Sequence, residues 1–440
     1  MRASEDSRAS EATPLKDPTL GYARRRCPPQ WLTREVVAFL LLGMFNNLAW
    51  VVTAANAGDI FPGAIGVVYI VNSTPELLVK MTAPYWWHLV SYRAKVIVVG
   101  VCFLTNLLLC GSGLNVGVGW KLFGTAMSDL GCGLGEATVL ALSQYYEQPS
   151  YMLTAWASGT GFAGVFGYLL TMFVFADMPL AWNIVLSVAI VLTYWFTYFV
   201  LLPKAPHLDG MTPDAVEKER ESLAILGLRS SRRTNVSEDV DQRRSQTAAA
   251  TQTLSVRERF MLQVRLLRYI APVILVYFGE YAAQAGAWTA FALPADDLLD
   301  TAARTKGYQY LNLFYQVGVL ISRSSGKLFS LSLPWCWAGA ILQNVFLVLF
   351  VWNGAAQAWV GMSLILGSFS VGLVGGTLYI QIALLIDTEL SAEIRELALA
   401  TVSLGEPLGI LLSDAVGIFI QSCLYQKHGI PGASVSCPFK

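Results

Sequence analysis

The sequence predicts an all-α polytopic membrane protein with about eleven transmembrane helices in two bundles. Hydrophobic residues make up 55% of the 440 residues and charged residues only 14%, whereas a soluble domain contains roughly 25% charged residues. Apolar stretches of the length that crosses a bilayer, about 20 helical residues, recur along the chain. Two polar, basic segments bracket the first six of these stretches, which divides the chain into two helical halves.

Eleven apolar stretches are long enough to be membrane spans. The first is too long for a cleavable signal peptide, and no convincing small-residue cleavage signal follows it. A second polar segment separates the sixth stretch from the seventh. We predict spans at residues 36–57, 64–88, 96–115, 120–144, 151–176, 180–202, 268–293, 308–331, 334–353, 358–387 and 396–424.

The distribution of basic residues predicts the topology. Of the 30 Lys and Arg residues, seven lie before residue 35 and twelve lie between residues 203 and 268. Loops rich in Lys and Arg stay in the cytosol, and an even number of spans between these two segments places both on that side. The predicted organisation is a disordered cytosolic tail (1–34), a six-helix bundle (35–202), a cytosolic loop (203–267), a five-helix bundle (268–424) and a luminal tail (425–440).

Charged residues inside spans are the candidates for function, because each costs roughly 2.5–3.5 kcal/mol at the centre of a transmembrane helix. Glu280 is the only charged residue of the stretch 269–293, and Gln284 lies one helical turn further on, with Tyr281 beside it. Two interpretations stay open for Glu280. Its carboxyl either joins two helices by a hydrogen bond, or faces a cavity in which it binds substrate or a proton.

Spans two and four contribute further charges. Glu76 and Lys80 are four residues apart, so they can pair on one helix face; the pair is either structural or part of a site. Asp129 and Glu136 fall on one stripe of span four and are expected to face the same neighbouring helix. Arg323 lies near the end of span eight.

The residue patterns of enzymes and metal sites are absent from the sequence. The chain has three His residues, no paired Cys-x-x-Cys and no recognised hydrolase or metalloprotease motif, so neither catalysis nor a bound cofactor or metal is predicted. The cysteines in or near the apolar stretches are expected to act as small hydrophobic residues, and the C-terminal CPFK is a poor prenylation signal. No nucleic-acid partner is predicted; the expected surroundings are bilayer lipids.

Several segments together resemble the battenin family. The combination of GLGE, then W-x-SGTG-x-AG, then YQ-x-GV-x-x-SRSS is highly specific, and the resemblance runs collinearly from about residue 32 to 424. The segments are LGMFNNLAWVVTAANAGDI (42–60), LVKMTAPYWWHL (78–89), GLGEATVLAL (133–142), WASGTGFAG (156–164), YFGEYAAQAG (277–286), YQYLNLFYQVGVLISRSS (308–325) and GGTLYI (375–380).

The resemblance implies a major-facilitator-like fold with eleven spans and a cytosolic N-terminus, in a lysosomal or vacuolar membrane. It also implies export of small polar solutes, with glycerophosphodiesters as the leading class. Functionally sensitive family positions fall on Glu280, Arg323 and Gln343, and a family Asp corresponds to Glu406. The short first loop and the C-terminus depart from the animal members, so sorting by animal-type signals is not implied.

We therefore predict a transporter whose substrate-binding residues are Glu280, Gln284, Lys80, Arg323, Glu136, Tyr281, Gln343 and Glu406. Two alternatives stay open. One is proton-linked transport of basic amino acids or regulation of luminal pH. The other is a non-transporting scaffold that binds trafficking proteins through residues 203–267.

Overall fold

Eleven long helices lie within the residues that the structure describes. They are seen in a computed structural model that describes residues 33–61, 64–86, 89–143, 146, 149–203, 256–326, 328–390, 398, 401–433 and 435–437. The first half contains α1 Arg34–Ala55, α2 Ile65–Trp86, α3 Tyr92–Asn106, α4 Val118–Ser143, α5 Pro149–Leu170 and α6 Leu180–Phe196. The second half contains α7 Val256–Ala285, α8 Thr301–Ser324, α9 Leu333–Ala356, α10 Met362–Glu389 and α11 Gly405–His428.

The all-helical prediction is confirmed: no strand occurs in the described ranges, and each predicted span overlaps one long helix. Eight of the eleven are long and apolar enough to cross a membrane by length and composition. The other three, α2, α4 and α8, carry charged side chains such as Lys80, Asp129 and Arg323. The helices least suited to lipid therefore supply several of the charges of the interior.

Local capping explains where the helix ends differ from the predicted spans. Asp300 accepts hydrogen bonds from the backbone N–H groups of Ala302 and Ala303, at 3.3 and 3.0 Å, so α8 begins seven residues before the predicted span. Gly429, at φ 66°, ends α11 after His428, because glycine adopts this left-handed conformation without strain. Helix α7 begins at Val256, so the segment after the polar loop continues directly into the span.

The two halves repeat one packing pattern. In the first half α1 packs on α5 and α4, and α4 also packs on α2 and α3. In the second half α7 packs on α11 and α10, and α10 also packs on α8 and α9. The pattern is the same with a shift of six helices, which is the internal repeat of two-bundle transporters. Helix α6, packed on α3, has no counterpart among the described helices.

The halves meet through two symmetry-related pairs, α5 with α8 and α2 with α11. Within each half, glycines allow close helix crossings. A Cβ atom at Gly159 of α5 would lie 2.0 Å from the carbonyl oxygen of Leu40 in α1. A Cβ atom at Gly372 of α10 would lie 2.0 Å from the carbonyl oxygen of Tyr315 in α8. These glycines therefore let α5 lie directly against α1, and α10 directly against α8.

The C-terminal segment folds back on α11 through a disulfide between Cys423 and Cys437. The prediction that Cys423, as a cysteine of an apolar stretch, acts as a small hydrophobic residue is therefore wrong. The C-terminal segment brings Cys437 to Cys423, and the two form a disulfide. Cys102, Cys110, Cys132 and Cys336 are free. The predicted N-terminal tail up to residue 32 and residues 204–255 of the predicted loop lie outside the described residues.

Candidate functional site

A polar cavity of about 50 Å³ lies between the two halves. Helices α1, α2, α4 and α5 line it from one side, and α7, α8, α10 and α11 line it from the other. Its polar lining includes Asn47, Glu76 and Glu136 of the first half. Tyr281, Arg323 and Glu406 of the second half face them. The cavity thus occupies the interface at which two-bundle transporters bind substrate.

Lys80 is the cationic centre of the first-half wall. Its Nζ atom lies 2.5 Å from Oε1 of Glu76 and 3.1 Å from Oε2 of Glu136. The side chains of Lys80 and Glu76 are 7% and 8% exposed. The Glu76–Lys80 pair is the one expected from their spacing on a helix, and Glu136 of α4 joins it from across the helix interface. Lys80 therefore pairs with both lining carboxylates from a position outside the cavity lining.

Asp129 extends this cluster away from the cavity. Its Oδ2 atom accepts a hydrogen bond from the backbone N–H of Glu76 at 2.7 Å, while its Oδ1 atom has no hydrogen-bond partner. The carboxyl is fully buried. Asp129 and Glu136 both contact α2, as their shared stripe on span four predicts.

Arg323 is the basic group of the second-half wall. Its Nη1 atom donates to Oγ1 of Thr160 across the interface at 2.9 Å, and its guanidinium lies over the ring of Tyr379, 4.3 Å from the centroid. The Nε atom is buried without a hydrogen-bond partner. Within the described ranges no carboxylate lies within ion-pair distance of Arg323. The group therefore retains unused donor capacity toward the cavity.

Glu280 lies inside the second half, 3% exposed. Its Oε2 atom accepts a hydrogen bond from the amide nitrogen of Gln343 in α9 at 3.1 Å. The side chain of Tyr315, which lines the cavity, lies near this carboxyl. Gly375 leaves room for this carboxyl, because a Cβ atom there would lie 2.1 Å from Oε2. The geometry is that of a helix-to-helix hydrogen bond, one of the two interpretations of Glu280, and Tyr315 connects it to the cavity lining.

Tyr281, the residue that follows Glu280, belongs to an aromatic wall of the cavity. Tyr281 lines the cavity, stacks on Tyr277 with centroids 5.9 Å apart, and meets the edge of Trp50 at 5.7 Å. Gln284 is buried near this wall, and its amide nitrogen has no partner. The wall joins α7 to α1 across the two halves.

The predicted site residues divide into two groups. Glu136, Tyr281, Arg323 and Glu406 line the cavity. Lys80, Glu280, Gln284 and Gln343 are not part of that lining; they are buried behind it and hold or adjoin it. The structure thus brings half of the predicted residues to one cavity.

Sequence reasoning did not select several lining residues. Neutral polar groups such as Thr160 and Tyr315 carry no insertion cost large enough to stand out in an apolar stretch. A usable signal was present, since Thr160 lies in WASGTGFAG and Tyr315 in YQYLNLFYQVGV, two of the segments that carry the family resemblance. The other polar lining residues that were not selected are Asn46, Asn47, Gln316 and Tyr379.

The charges of this region do not balance. Four carboxyl groups, those of Glu76, Asp129, Glu136 and Glu406, accompany two cationic groups, those of Lys80 and Arg323. A buried surplus of negative charge is costly unless it is neutralised. The arrangement can therefore take up protons or a cationic group and, through Arg323, an anionic group as well.

The sequence of this chain matches a protein-family model over most of its length. The family model described as CLN3 protein matches residues 37–427. This chain belongs to the CLN3 protein family. Its relatives include Battenin of Canis lupus familiaris, 28% identical over 94% of this chain and 95% of that protein. Protein BTN1 of Debaryomyces hansenii is 28% identical over 86% of this chain and 91% of that protein.

The fold of this chain is shared by solved structures of major-facilitator-type transporters. A D-xylose–proton symporter matches with a TM-score of 0.53 and 12% identity, over 91% of this chain and 98% of that chain. A POT family transporter in complex with 5-aminolevulinic acid matches with a TM-score of 0.56 and 10% identity, over 90% and 92%. These likenesses confirm the major-facilitator-like, two-bundle fold. Together with the family they support a multi-pass membrane transporter.

Proposed function

We propose that this protein is an alternating-access transporter of a lysosomal or vacuolar membrane that exports small polar solutes, with glycerophosphodiesters as the leading class. The observation that carries the proposal is the polar cavity between the halves, in which Arg323 pairs with no carboxylate of the described residues. Arginine recognises phosphate oxygens with several charge-assisted hydrogen bonds. A phosphodiester at Arg323 would place its glycerol hydroxyls toward the oxygen acceptors Glu136, Glu406 and Asn47 on the remaining walls.

The orientation we propose places the N-terminus in the cytosol. The excess of Lys and Arg before residue 35 and between residues 203 and 268 supports it. The disulfide at Cys437 supports it from the other end of the chain, because disulfides persist in oxidising compartments and are rare in the cytosol. Eleven spans place these two ends on opposite sides.

Transport requires the halves to move apart. A cavity of about 50 Å³ holds a few water molecules, at roughly 10–15 Å³ each, and is too small for a glycerophosphodiester. Hydrogen bonds between the halves close the end near the disulfide. The hydroxyls of Tyr69 and Tyr308 lie 2.6 Å apart, the Ile65 N–H donates to Gln421 at 3.2 Å, and the Gln309 amide donates to the Ala55 carbonyl at 3.4 Å. We propose that these contacts break when the cavity opens to the lumen.

The test is uptake of labelled glycerophosphoglycerol into proteoliposomes, with the luminal face at pH near 5 and near 7. We expect saturable uptake in the wild type and its loss in Glu280→Ala, with that variant still inserted in the membrane. Glu389→Gln is a matched control, because Glu389 is an exposed carboxylate that pairs with Arg268 away from the cavity. Normal flux in folded Glu280→Ala would show that the buried carboxyl and its hydrogen bond to Gln343 are not needed for transport, and no uptake by the folded wild type would refute this substrate class.

Basic amino acids are the second candidate, and the surplus of carboxyl groups around Lys80 favours them. A cationic side chain would supply the missing positive charge, and a carboxylate could contact Arg323. Uptake of labelled lysine or arginine that depends on the pH gradient, without uptake of glycerophosphoglycerol, would favour this function. Binding of trafficking proteins through residues 203–267 stays a prediction, because residues 204–255 lie outside the described structure.

A further inference from the structure

We propose that a second cavity, centred on Arg304, binds a phosphate-type oxyanion. The cavity has a volume of about 90 Å³ and lies at the end of the bundle that holds the Cys423–Cys437 disulfide. Its lining includes Arg304 and Thr305 of α8 together with Tyr425 of α11. One part of this proposal rests on the proposed function, namely that the oxyanion is the phosphodiester of a solute arriving from the lumen.

Arg304 is a buried cation with only neutral partners. The residue is 6% exposed. Its Nη1 atom donates to the Leu298 carbonyl at 2.7 Å and its Nη2 atom donates to Oγ1 of Thr301 at 3.2 Å. The guanidinium also lies over the Tyr425 ring, 5.6 Å from the centroid. These contacts orient the guanidinium group, but none of the three partners carries a negative charge.

No carboxylate compensates Arg304 within the described part of the chain, since none lies within 4.0 Å of the guanidinium nitrogens. Lys80, the buried base of the central cluster, has two carboxylates at 2.5 and 3.1 Å. A buried charge with no partner is costly, and a guanidinium with donors to spare matches the oxygens of phosphate. The missing counter-ion is therefore expected from a ligand in the cavity.

The surroundings of Arg304 fit a small oxyanion. The hydroxyl of Thr305, one residue further along α8, lines the same cavity and can donate to an oxygen. Of the nearby acidic residues, Asp300 uses its carboxylate to cap α8 through two backbone N–H groups. Asp296 and Asp297 are exposed to solvent, where water screens their charges.

The position of the cavity connects it to the proposed transport path. Tyr308 lies one turn after Arg304 on α8, lines the cavity, and makes the hydroxyl contact with Tyr69 that joins the halves at this end. Arg323 lies nineteen residues further along the same helix, about 28 Å away at 1.5 Å per residue. An oxyanion at Arg304 would thus be held next to the contact that has to open, on the helix that leads to the central cavity.

The experiment measures binding of inorganic phosphate to the purified full chain in neutral detergent, from the phosphate-dependent rise in unfolding temperature. We expect Arg304→Gln to weaken phosphate binding by at least about tenfold, the effect of losing roughly 1.4 kcal/mol. Arg304→Lys should lose less, because it keeps the charge. Lys306→Gln is the matched control, since it removes an exposed positive charge two residues away and should bind phosphate as the wild type does.

Wild-type phosphate affinity in folded Arg304→Gln, or equal losses in Arg304→Gln and Lys306→Gln, would overturn the proposal. If Arg304→Gln does not fold, Thr305→Val replaces it, and unchanged affinity in that folded variant overturns the proposal equally. To identify the source of the oxyanion, glycerophosphoglycerol and vesicles containing phosphatidylglycerol are each tested for binding that depends on Arg304. Phosphate binding that depends on Arg304 in a protein that transports no glycerophosphoglycerol would support this site while refuting the proposed substrate.

Discussion

Replacement of Lys80 by Met tests whether the central cluster is held together by charge. Met fills a similar volume but removes the Nζ atom that lies 2.5 Å from Glu76 and 3.1 Å from Glu136. The two carboxylates, 8% and 13% exposed at their side chains, would be left side by side without a cation. Removing one partner of a buried ion pair costs about 3–5 kcal/mol, and we expect a loss of this size in Lys80→Met.

The measurement is the free energy of unfolding of the purified protein in detergent, for Lys80→Met, Glu136→Gln and the double variant. Because Glu136→Gln removes one of the stranded charges, the double variant should be more stable than the sum of the single changes predicts, by about 0.5–3 kcal/mol. The reasoning would be refuted if Lys80→Met unfolds with the wild-type free energy, or if the two changes are additive. Exposed Arg268→Met is a control, since its pair with Glu389 at 3.7 Å is solvent-accessible and should contribute about 0–1 kcal/mol.

Three further predictions follow from single contacts. Gly159→Val should destabilise the first bundle by about 1–3 kcal/mol, measured by thermal unfolding, because its Cβ atom would lie 2.0 Å from the Leu40 carbonyl oxygen. Arg323→Lys should raise the KM of glycerophosphoglycerol uptake about tenfold, because a lysine keeps the charge but loses the planar donors that bind Thr160 and, in the proposed function, the phosphodiester. Cys437→Ser should lower stability by about 3 kcal/mol, and non-reducing mass spectrometry should find the disulfide-linked peptide only in the wild type.

Each of these has a contradicting result. A Gly159→Val protein as stable as Gly117→Val, which changes an open loop position without a positive φ, would mean that α1 and α5 do not cross closely. Unchanged uptake in Arg323→Lys would show that charge alone suffices there. Alkylation of both C-terminal thiols without prior reduction would exclude the disulfide and remove one support for a luminal C-terminus.

Much of the fold was predictable because hydrophobicity and helix length are local properties. The eleven stretches coincide with eleven helices, and the boundaries that differ most are set by particular side chains. The start of α8 depends on Asp300, which lies outside the apolar pattern of the span. The disulfide between Cys423 and Cys437 was missed because the pairing depends on how the tail folds back.

The candidate site was predictable in its members but not in its arrangement. The contact of Glu76 with Lys80 follows from helical spacing, whereas Glu136 reaches Lys80 only because α2 packs on α4. Glu280 stood out as a lone charge, yet its partner Gln343 lies 63 residues away on another helix. Spacing in the sequence cannot show which helices become neighbours.

By itself the sequence determined that the chain is a helical membrane protein, which segments enter the bilayer, and which charges have to be compensated inside it. These conclusions follow from the cost of placing polar groups in hydrocarbon, which each segment bears separately. The tertiary structure alone decided that Arg323 lines a cavity while Glu280 is buried outside its lining, and that no carboxylate of the described residues pairs with Arg304. Those outcomes depend on helix crossings between distant parts of the chain, where a rotation of one helix exchanges a lining residue for a buried one.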